Sequence, residues 1–172
     1  WVKSEQDLFG MTQELHYLLR ENAQDEKQYY RYVDSIKASV LTAFYTPPSV
    51  IGAIADSFQE NQINIERFLE PSAGTGSFIE AFRNESLSHI TAYEKEFLTG
   101  QLLKQLYPDN NIRVARFEEI PNKDKESYDV IASNIPFGDA SIFDLSYIRS
   151  KDPVRVQAAR SIHNYFFLKS ID

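Results

Sequence analysis

The chain has 172 residues, of which 42% are hydrophobic and 25% are charged, and its formal net charge is −7. This balance is typical of a water-soluble globular domain, and it provides no bulk positive charge for binding nucleic acid. The absence of cysteine excludes disulfides and thiolate metal sites and fits a reducing, cytoplasmic setting. No apolar run approaches the length of a membrane span. Because the sequence starts at Trp1 and ends within a helical pattern, we expect it to be a piece of a longer protein.

Residues 1–43 predict a helical lead-in. Apolar residues recur at helical spacing in residues 4–22 and again in residues 25–43. The second predicted helix carries an aromatic stripe that includes Tyr29 and Tyr32, and packing is the favoured interpretation of such a stripe. We expect this helical pair to pack on a main domain formed by residues 44–172.

From residue 44 onward, predicted strands alternate with predicted helices. In this main domain, Thr46 is the expected N-cap of the first helix, which has proline in its first turn. A helix also follows each of the first two predicted strands, and these helices reach about Arg83 and Pro108. A last helix is predicted at residues 158–171, whereas residues 138–157 show no clear period. The predicted strands are residues 65–70, 89–93, 112–117 and 128–132. This alternation predicts an α/β fold with a doubly wound, mostly parallel sheet, incomplete because the sequence supplies only about four strands.

The sequence FLEPSAGTGSF at residues 68–78 is typical of a nucleotide-binding βαβ unit. A short apolar strand leads through Glu70 into a loop of small residues that contains Gly74 and Gly76, and an apolar helical pattern follows. Glycines allow a sharp turn and a close approach of the backbone to a ligand. Alone, the pattern also fits a structural turn without a ligand.

The second predicted strand ends on Glu94, twenty residues after Gly74. An acidic residue at this point accepts hydrogen bonds from both ribose hydroxyls of a nucleoside. The alternative is a solvated carboxylate, since Glu96 lies close by. The loop lacks the third glycine of a dinucleotide site, because Ser77 and Phe78 follow Gly76. A nucleoside with a different tail fits better than a dinucleotide.

These motifs, together with Asn134-Ile135-Pro136-Phe137, resemble those of the S-adenosylmethionine-dependent N6-adenine DNA methyltransferases. The catalytic motif of that family is (Asn/Asp/Ser)-Pro-Pro-(Tyr/Phe/Trp). FYTPPSV at residues 44–50 resembles the motif that precedes the glycine loop in the gamma-type motif order. The resemblance covers residues 44–137, and more loosely continues to 172. It implies a Rossmann-like methyltransferase fold.

The resemblance also implies a set of cofactor-binding residues from the strand ends and from the start of a helix: Thr46, Glu70, Ala73, Gly74, Gly76, Glu94, Phe117 and Glu118. Thr46 would meet the methionine carboxylate, and the small loop residues would lie against the methionine part. Glu70 would face the cationic amino and sulfonium end, and Glu94 would hold the ribose. Phe117 and Glu118 would hold the adenine, through an N–H and by accepting from its amino group.

The resemblance assigns catalysis to Asn134, Ile135, Pro136 and Phe137. The side-chain oxygen of Asn134 and the backbone carbonyl of residue 135 would accept hydrogen bonds from the adenine amine, which favours its pyramidal form in the transition state. Phe137 would stack on a base flipped out of the duplex. Ile135 departs from the family, where proline is usual, and this removes rigidity but keeps the carbonyl.

We therefore expect a truncated DNA adenine-N6 methyltransferase domain of a restriction-modification type, with S-adenosylmethionine as cofactor. Its DNA target would be recognised by a missing region, and neither a membrane nor a metal partner is predicted. Two alternatives remain open. One is a non-catalytic module of a larger restriction or mobile-element protein, and the other is a protein glutamine methyltransferase. FYTPPSV argues against the second, because it is a feature of the DNA enzymes.

Overall fold

The computed structural model describes residues 3–42, 45–83, 89–121, 127–138 and 140–172. The chain divides into two compact units, residues 1–43 and residues 44–172. Residues 122–126, between the third and fourth predicted strands, lie outside the described residues. No described helix is long and apolar enough to cross a bilayer.

The first unit is a pair of helices, α1 (Lys3–Asn22) and α2 (Glu26–Thr42), which confirms both predicted helices. Tyr29 of α2 lies at their contact. Its hydroxyl is 2.9 Å from Nδ1 of His16, and the guanidinium of Arg20 lies 4.3 Å from the centre of its ring. Arg20 also forms a 2.6 Å ion pair with Glu26, but both side chains are exposed, so this pair adds little stability. At Tyr29, the aromatic stripe is a packing surface.

The second unit is an α/β domain around a four-stranded sheet in which every pairing is parallel. Its elements are α3 (Pro48–Glu60), β1 (Arg67–Glu70), α4 (Ser77–Phe82), β2 (His89–Tyr93), α5 (Phe97–Leu106), β3 (Asn111–Arg113), a 3₁₀ turn (Phe117–Glu119), β4 (Val130–Ile131), α6 (Leu145–Ile148), α7 (Pro153–Ala158) and α8 (Ile162–Ile171). The predicted α/β fold with a parallel sheet is confirmed.

The sheet is covered on both faces. Successive residues of a strand point to opposite faces, and in β1 Phe68 joins a core with α3, α4 and α5, whereas Leu69 joins a core with α6, α7 and α8. Both side chains are almost completely buried, and each such burial stabilises the fold by about 1.5–3 kcal/mol. Helices on both faces make the sheet doubly wound.

The strand order β3-β2-β1-β4 determines where a ligand can bind. The chain proceeds outward from β1 to β2 and β3, and then returns to place β4 on the other side of β1. The carboxyl ends of β1 and β4 therefore flank the point at which the order reverses. In open parallel sheets, the ligand crevice lies at this point.

Three strands are shorter than predicted, and the first begins at Arg67 rather than at residue 65. The third strand ends at Arg113 rather than at residue 117, because Phe117 begins the 3₁₀ turn and its ring enters the core. There it packs against Tyr93 and Phe166, with ring centres 6.0 Å and 5.2 Å away. The fourth strand contains only Val130–Ile131.

The helix boundaries also need correction. The N-cap of α3 is Pro47, not Thr46, and no side chain caps that helix, although the expected proline does occupy its first turn. The segment 138–157 contains α6 and most of α7, which are too short to show a helical period. Each is capped by an aspartate, with Asp144 accepting from Ser146 N at 2.8 Å and Asp152 accepting from Val154 N at 2.9 Å. The last helix begins at Ile162 rather than at 158, after α7 has ended.

Candidate cofactor and catalytic site

The glycine loop between β1 and α4 adopts a backbone that only glycine tolerates well. Gly74 and Gly76 have φ values of +54° and +89°, in the left-handed region. A Cβ added to Gly76 would lie 2.5 Å from Cε2 of Tyr107. A Cβ added to Gly74 would lie 3.2 Å from Cε1 of Tyr45. The loop thus presents bare backbone between two tyrosine rings.

Both tyrosines are site residues that sequence analysis did not identify. The hydroxyl of Tyr107 donates to the carbonyl of Gly76 at 3.2 Å, across 31 positions, and no local pattern indicates that contact. Tyr45 does lie within FYTPPSV, so its motif was the available signal. Thr46 follows it directly, half-buried and one residue before the N-cap of α3. The segment ahead of α3 therefore reaches the glycine loop.

Glu94 is bound to the glycine loop. Its Oε2 accepts a hydrogen bond from Gly74 N at 2.8 Å, and its Oε1 accepts one from Glu96 N at 2.7 Å. A second tie joins Ala73 N to the carbonyl of Tyr93 at 2.9 Å. Glu94 is only 8% exposed, which excludes the solvated carboxylate, and burial raises its pKa. A carboxylate has about four acceptor positions, so both oxygens keep capacity for ligand hydroxyls.

Glu70 is a buried carboxylate at the base of the same loop. It is 1% exposed. Among the described residues, its Oε2 is the one buried side-chain nitrogen or oxygen atom that has no hydrogen-bond partner. Burial raises the pKa of Glu70 well above its ordinary value, a backbone hydrogen bond from Ile79 opposes this, and the charge of Glu94 adds to it. An unpaired buried carboxylate oxygen is costly unless a ligand completes its bonding. Glu70 therefore fits the cationic end of a ligand.

The segment from Asn134 to Phe137 follows β4 and lies beside the glycine loop. Ser133 Oγ donates to the carbonyl of Ser72 at 3.3 Å, which joins the two loops directly. Ile135 packs against the second core, and the ring of Phe137 is 62% exposed. The hydrogen bond from Ser133 brings the start of the predicted catalytic segment to the loop that follows Glu70.

Phe117 and Glu118 differ in what they offer a ligand. The ring of Phe117 is buried in the core, which leaves its backbone, whereas Glu118 is half-buried. Lys169 of α8 holds the 3₁₀ turn that contains these two residues, because its Nζ donates to the carbonyl of Glu118 at 3.2 Å. The same Nζ donates to Asp144 Oδ2 at 2.8 Å. The sequence did not indicate this ion pair, whose members lie in separate elements.

The ion pair between Asp144 and Lys169 is the centre of a buried network. Tyr165 also donates to Asp144, at 2.5 Å, and both charged side chains are only 8% exposed. Burial alone would raise the pKa of Asp144, but hydrogen bonds from Lys169, Ser146 and Tyr165 lower it well below its usual range. The network joins the start of α6 to α8.

Among the residues that the structure describes, no group of three or more His, Cys, Asp or Glu side chains could hold a metal ion.

No family model matches the chain, but known proteins similar to it include a phage protein and a solved structure. The chain is 25% identical over 136 residues to the Defense against restriction protein B of Escherichia phage P1, a match that spans 77% of this chain and 6% of the phage protein. It also superimposes, with a TM-score of 0.58 and 22% identity, on the crystal structure of a protein from Vibrio vulnificus YJ016 assigned as the modification subunit of a type I restriction enzyme. That likeness covers 92% of this chain and 35% of the other.

The chain has the Rossmann-like methyltransferase fold. At 22% identity, the structural likeness shows this fold alone, and the chain spans about a third of the modification subunit. In a Rossmann-like sheet the ligand binds where the strand order reverses. The glycine loop and the segment after β4 lie there.

Proposed function

We propose that this chain is the S-adenosylmethionine-binding catalytic domain of a DNA methyltransferase that acts on the N6 amine of adenine. The observation that carries the proposal is the 3.3 Å hydrogen bond from Ser133 Oγ to the carbonyl of Ser72. It joins the residue before Asn134 to the loop that follows Glu70, whose Oε2 has no hydrogen-bond partner. A methyl donor and a methyl acceptor held by these two segments would meet.

The residues around the loop fit this cofactor. Glu70 would bind its cationic amino end, because a buried unpaired carboxylate favours positive charge. Glu94, already held by Gly74, would accept from the ribose hydroxyls. Phe117, through its backbone N–H, and Glu118 would hold the adenine. The bound cofactor supplies an electrophilic methyl group.

The small residues and the helix start would hold the rest of the cofactor. Gly74 and Gly76 add no side chain to the loop, where a Cβ at either would approach a tyrosine ring, and Ala73 adds only a methyl group. Thr46 would meet the carboxylate of the methionine part. Thr46 lies just ahead of the N-terminus of α3, the positive end of the helix dipole, where an anion is favoured.

The segment after β4 would act on the acceptor. The side-chain oxygen of Asn134 and the carbonyl of Ile135 accept hydrogen bonds from the amine, and these bonds strengthen as its nitrogen becomes pyramidal. Pro136 restricts the backbone between them and Phe137. The exposed ring of Phe137 stacks on the extruded base.

The names of the two similar proteins support DNA as the substrate. The phage relative is named for defence against restriction, and the structural neighbour for modification within a restriction enzyme. Both names concern restriction. We infer that this chain belongs to a cytoplasmic restriction-modification setting and that a region outside it recognises the target sequence.

One observation favours a second candidate, a non-catalytic module of a larger restriction or mobile-element protein. Ile135 stands where the resemblance has proline, and its side chain packs against the second core. A segment that serves packing alone would tolerate this change. The net charge of −7 also suits a module that does not hold DNA by itself. A protein glutamine methyltransferase is less favoured because of FYTPPSV.

The test is transfer of a labelled methyl group to adenine in mixed-sequence DNA by the natural full-length protein. Asn134→Ala should leave cofactor affinity nearly unchanged and lower the transfer rate about 10²-fold, the effect of removing one transition-state partner. Asn64→Ala is the matched control, because Asn64 is an exposed residue ahead of β1, and it should change neither quantity. If the wild-type protein binds the cofactor but methylates neither DNA nor protein glutamine, the non-catalytic module is the better conclusion.

A further inference from the structure

Phe143 is the most exposed large apolar side chain in the described part of the structure, with 77% of its surface accessible. Single exposed hydrophobic residues are common on protein surfaces, so exposure alone indicates nothing. What sets Phe143 apart is that the residues on either side of it are firmly anchored.

Its neighbours Ile142 and Asp144 both face the interior. Ile142 packs against the second core, and its N–H donates to the carbonyl of Ala159 at 2.8 Å. Asp144 is buried and has an extended backbone conformation, and its carboxylate accepts hydrogen bonds from Lys169 and Tyr165. Side chains alternate along an extended chain, so the residue between two inward side chains must point to solvent. The fold therefore holds the Phe143 ring outward.

Exposed cations follow this ring in the chain. Arg149, Lys151 and Arg160 are exposed, and Ser141 Oγ donates to the carbonyl of Arg160 at 3.3 Å, which brings Arg160 to the Phe143 segment. Arg155, the other cation between residues 149 and 160, forms an ion pair with Asp172 at 2.9 Å. In a chain of net charge −7, an aromatic ring among exposed cations has the chemistry of a nucleic-acid contact.

The ring is also near the proposed catalytic segment. Phe143 lies six positions after Phe137 in the chain, and even a fully extended chain of that length spans only about 20 Å. One turn of duplex DNA is about 34 Å long. A single duplex turn can therefore touch both rings.

We propose that Phe143 is a wedge that enters duplex DNA beside the extruded adenine and stacks on the bases left behind, while Arg149, Lys151 and Arg160 contact phosphates. Extruding a base costs unstacking energy, and an aromatic ring placed in the gap replaces part of the lost stacking. This inference rests on the proposed function, because it requires a base to be extruded for methylation.

The first test is photo-crosslinking by the natural full-length protein with p-benzoylphenylalanine in place of Phe143. A mixed-sequence duplex should crosslink at this position. The matched control carries the same group in place of Phe167, an α8 residue of 67% exposure whose neighbour Phe166 is buried, and should not crosslink. A position-143 crosslink only to a second copy of the chain, or no crosslink, overturns the proposal. A DNA crosslink at position 143 without methyl transfer by the wild type would retain the DNA-binding surface but count against the proposed activity, and with it against the wedge.

The second test compares methyl transfer to duplex DNA and to single-stranded DNA of the same sequence. Phe143→Ala should lower the rate on the duplex at least 10-fold and change the rate on the single strand less than 2-fold, because a single strand needs no wedge. Phe143→Trp should retain the duplex rate, and Phe167→Ala should change neither. Equal loss on both substrates, or no loss on the duplex, overturns the wedge. Arg160→Gln should make the salt dependence of duplex binding shallower by about one unit of slope.

Discussion

The backbone N–H of Gly74 donates a 2.8 Å hydrogen bond to Oε2 of Glu94, which joins the loop after β1 to the end of β2. The same carboxylate accepts from Glu96 N through its other oxygen. One buried side chain therefore shapes the glycine loop and also lies where a ribose would bind. The two roles can be separated by comparing substitutions.

Glu94→Ala should weaken binding of S-adenosylhomocysteine by roughly 1–3 kcal/mol, because polar groups of the ligand and the loop lose their partner. Glu94→Gln should cost less, since its amide oxygen can still accept from Gly74. Calorimetric titration measures both. Glu96→Ala serves as the control: it removes the cap that accepts from Thr99 N at the start of α5 and should leave affinity unchanged. Unchanged affinity in Glu94→Ala would remove Glu94 from the site.

Glu70 predicts a specific dependence of stability on pH. Burial raises its pKa in the folded chain above the unfolded value of about 4.3, so the folded state keeps a proton that the unfolded chain has lost. The contribution of Glu70 to the free energy of unfolding is fully present below that unfolded pKa, and it is lost as pH rises through the raised folded pKa. Glu94 contributes with the same sign. Asp144, whose pKa is lowered, contributes stability that is present above its unfolded pKa and is lost as pH falls through the lowered folded pKa.

Urea unfolding at pH 5 to 8 measures this dependence. The free energy of unfolding should fall with rising pH in the wild type and fall less steeply in Glu70→Gln, which cannot titrate. The variant should also be the more stable of the two at the upper end of this range. Identical slopes for the two proteins would show that Glu70 does not retain its proton on folding.

Lys169→Met should destabilise the domain by about 3 kcal/mol, because it leaves the buried carboxylate of Asp144 without its cation. The matched variant Arg155→Met breaks the pair with Asp172, in which the arginine side chain is 34% exposed, and should cost about 1 kcal/mol or less. Urea unfolding at neutral pH compares them. Equal costs would contradict the central role of the Asp144 network.

Gly76→Ala should destabilise the domain by more than the roughly 1–2 kcal/mol of a left-handed backbone, because the new Cβ would also collide with the ring of Tyr107. Gly52→Ala is the control. Gly52 lies within α3 with open space around it, and alanine there should stabilise by about 0.5–1 kcal/mol. Thermal unfolding measures both changes in stability, a loss for Gly76→Ala and a gain for Gly52→Ala. An unchanged stability in Gly76→Ala would argue against the strained loop.

Ile135→Pro should preserve or raise the rate of methyl transfer, because the carbonyl acceptor remains and proline restricts its geometry. Stability should fall by about 1 kcal/mol, since the Ile135 side chain loses its packing on the second core. The transfer assay and urea unfolding read the two effects separately. A collapse of the rate with cofactor affinity intact would mean that isoleucine itself is required.

The sequence by itself determined the parallel α/β fold and the glycine loop, together with the positions of Glu70 and Glu94. These features are local: apolar runs specify strands, glycines specify a left-handed turn, and the residue that follows a strand lies at the edge of the sheet. Ser133 and Ser72 could be expected at one crevice for the same reason, although their hydrogen bond could not.

Only the tertiary structure decided the features that depend on contacts between distant positions. Phe117 leaves the sheet because its ring fills a space between Tyr93 and Phe166, which ends β3 early. Helices α6 and α7 are too short for their period to be visible in sequence, so capping and burial determine them. The pair of Asp144 and Lys169 lies 25 positions apart, and burial in a shared core, rather than any local pattern, brings the two charges together.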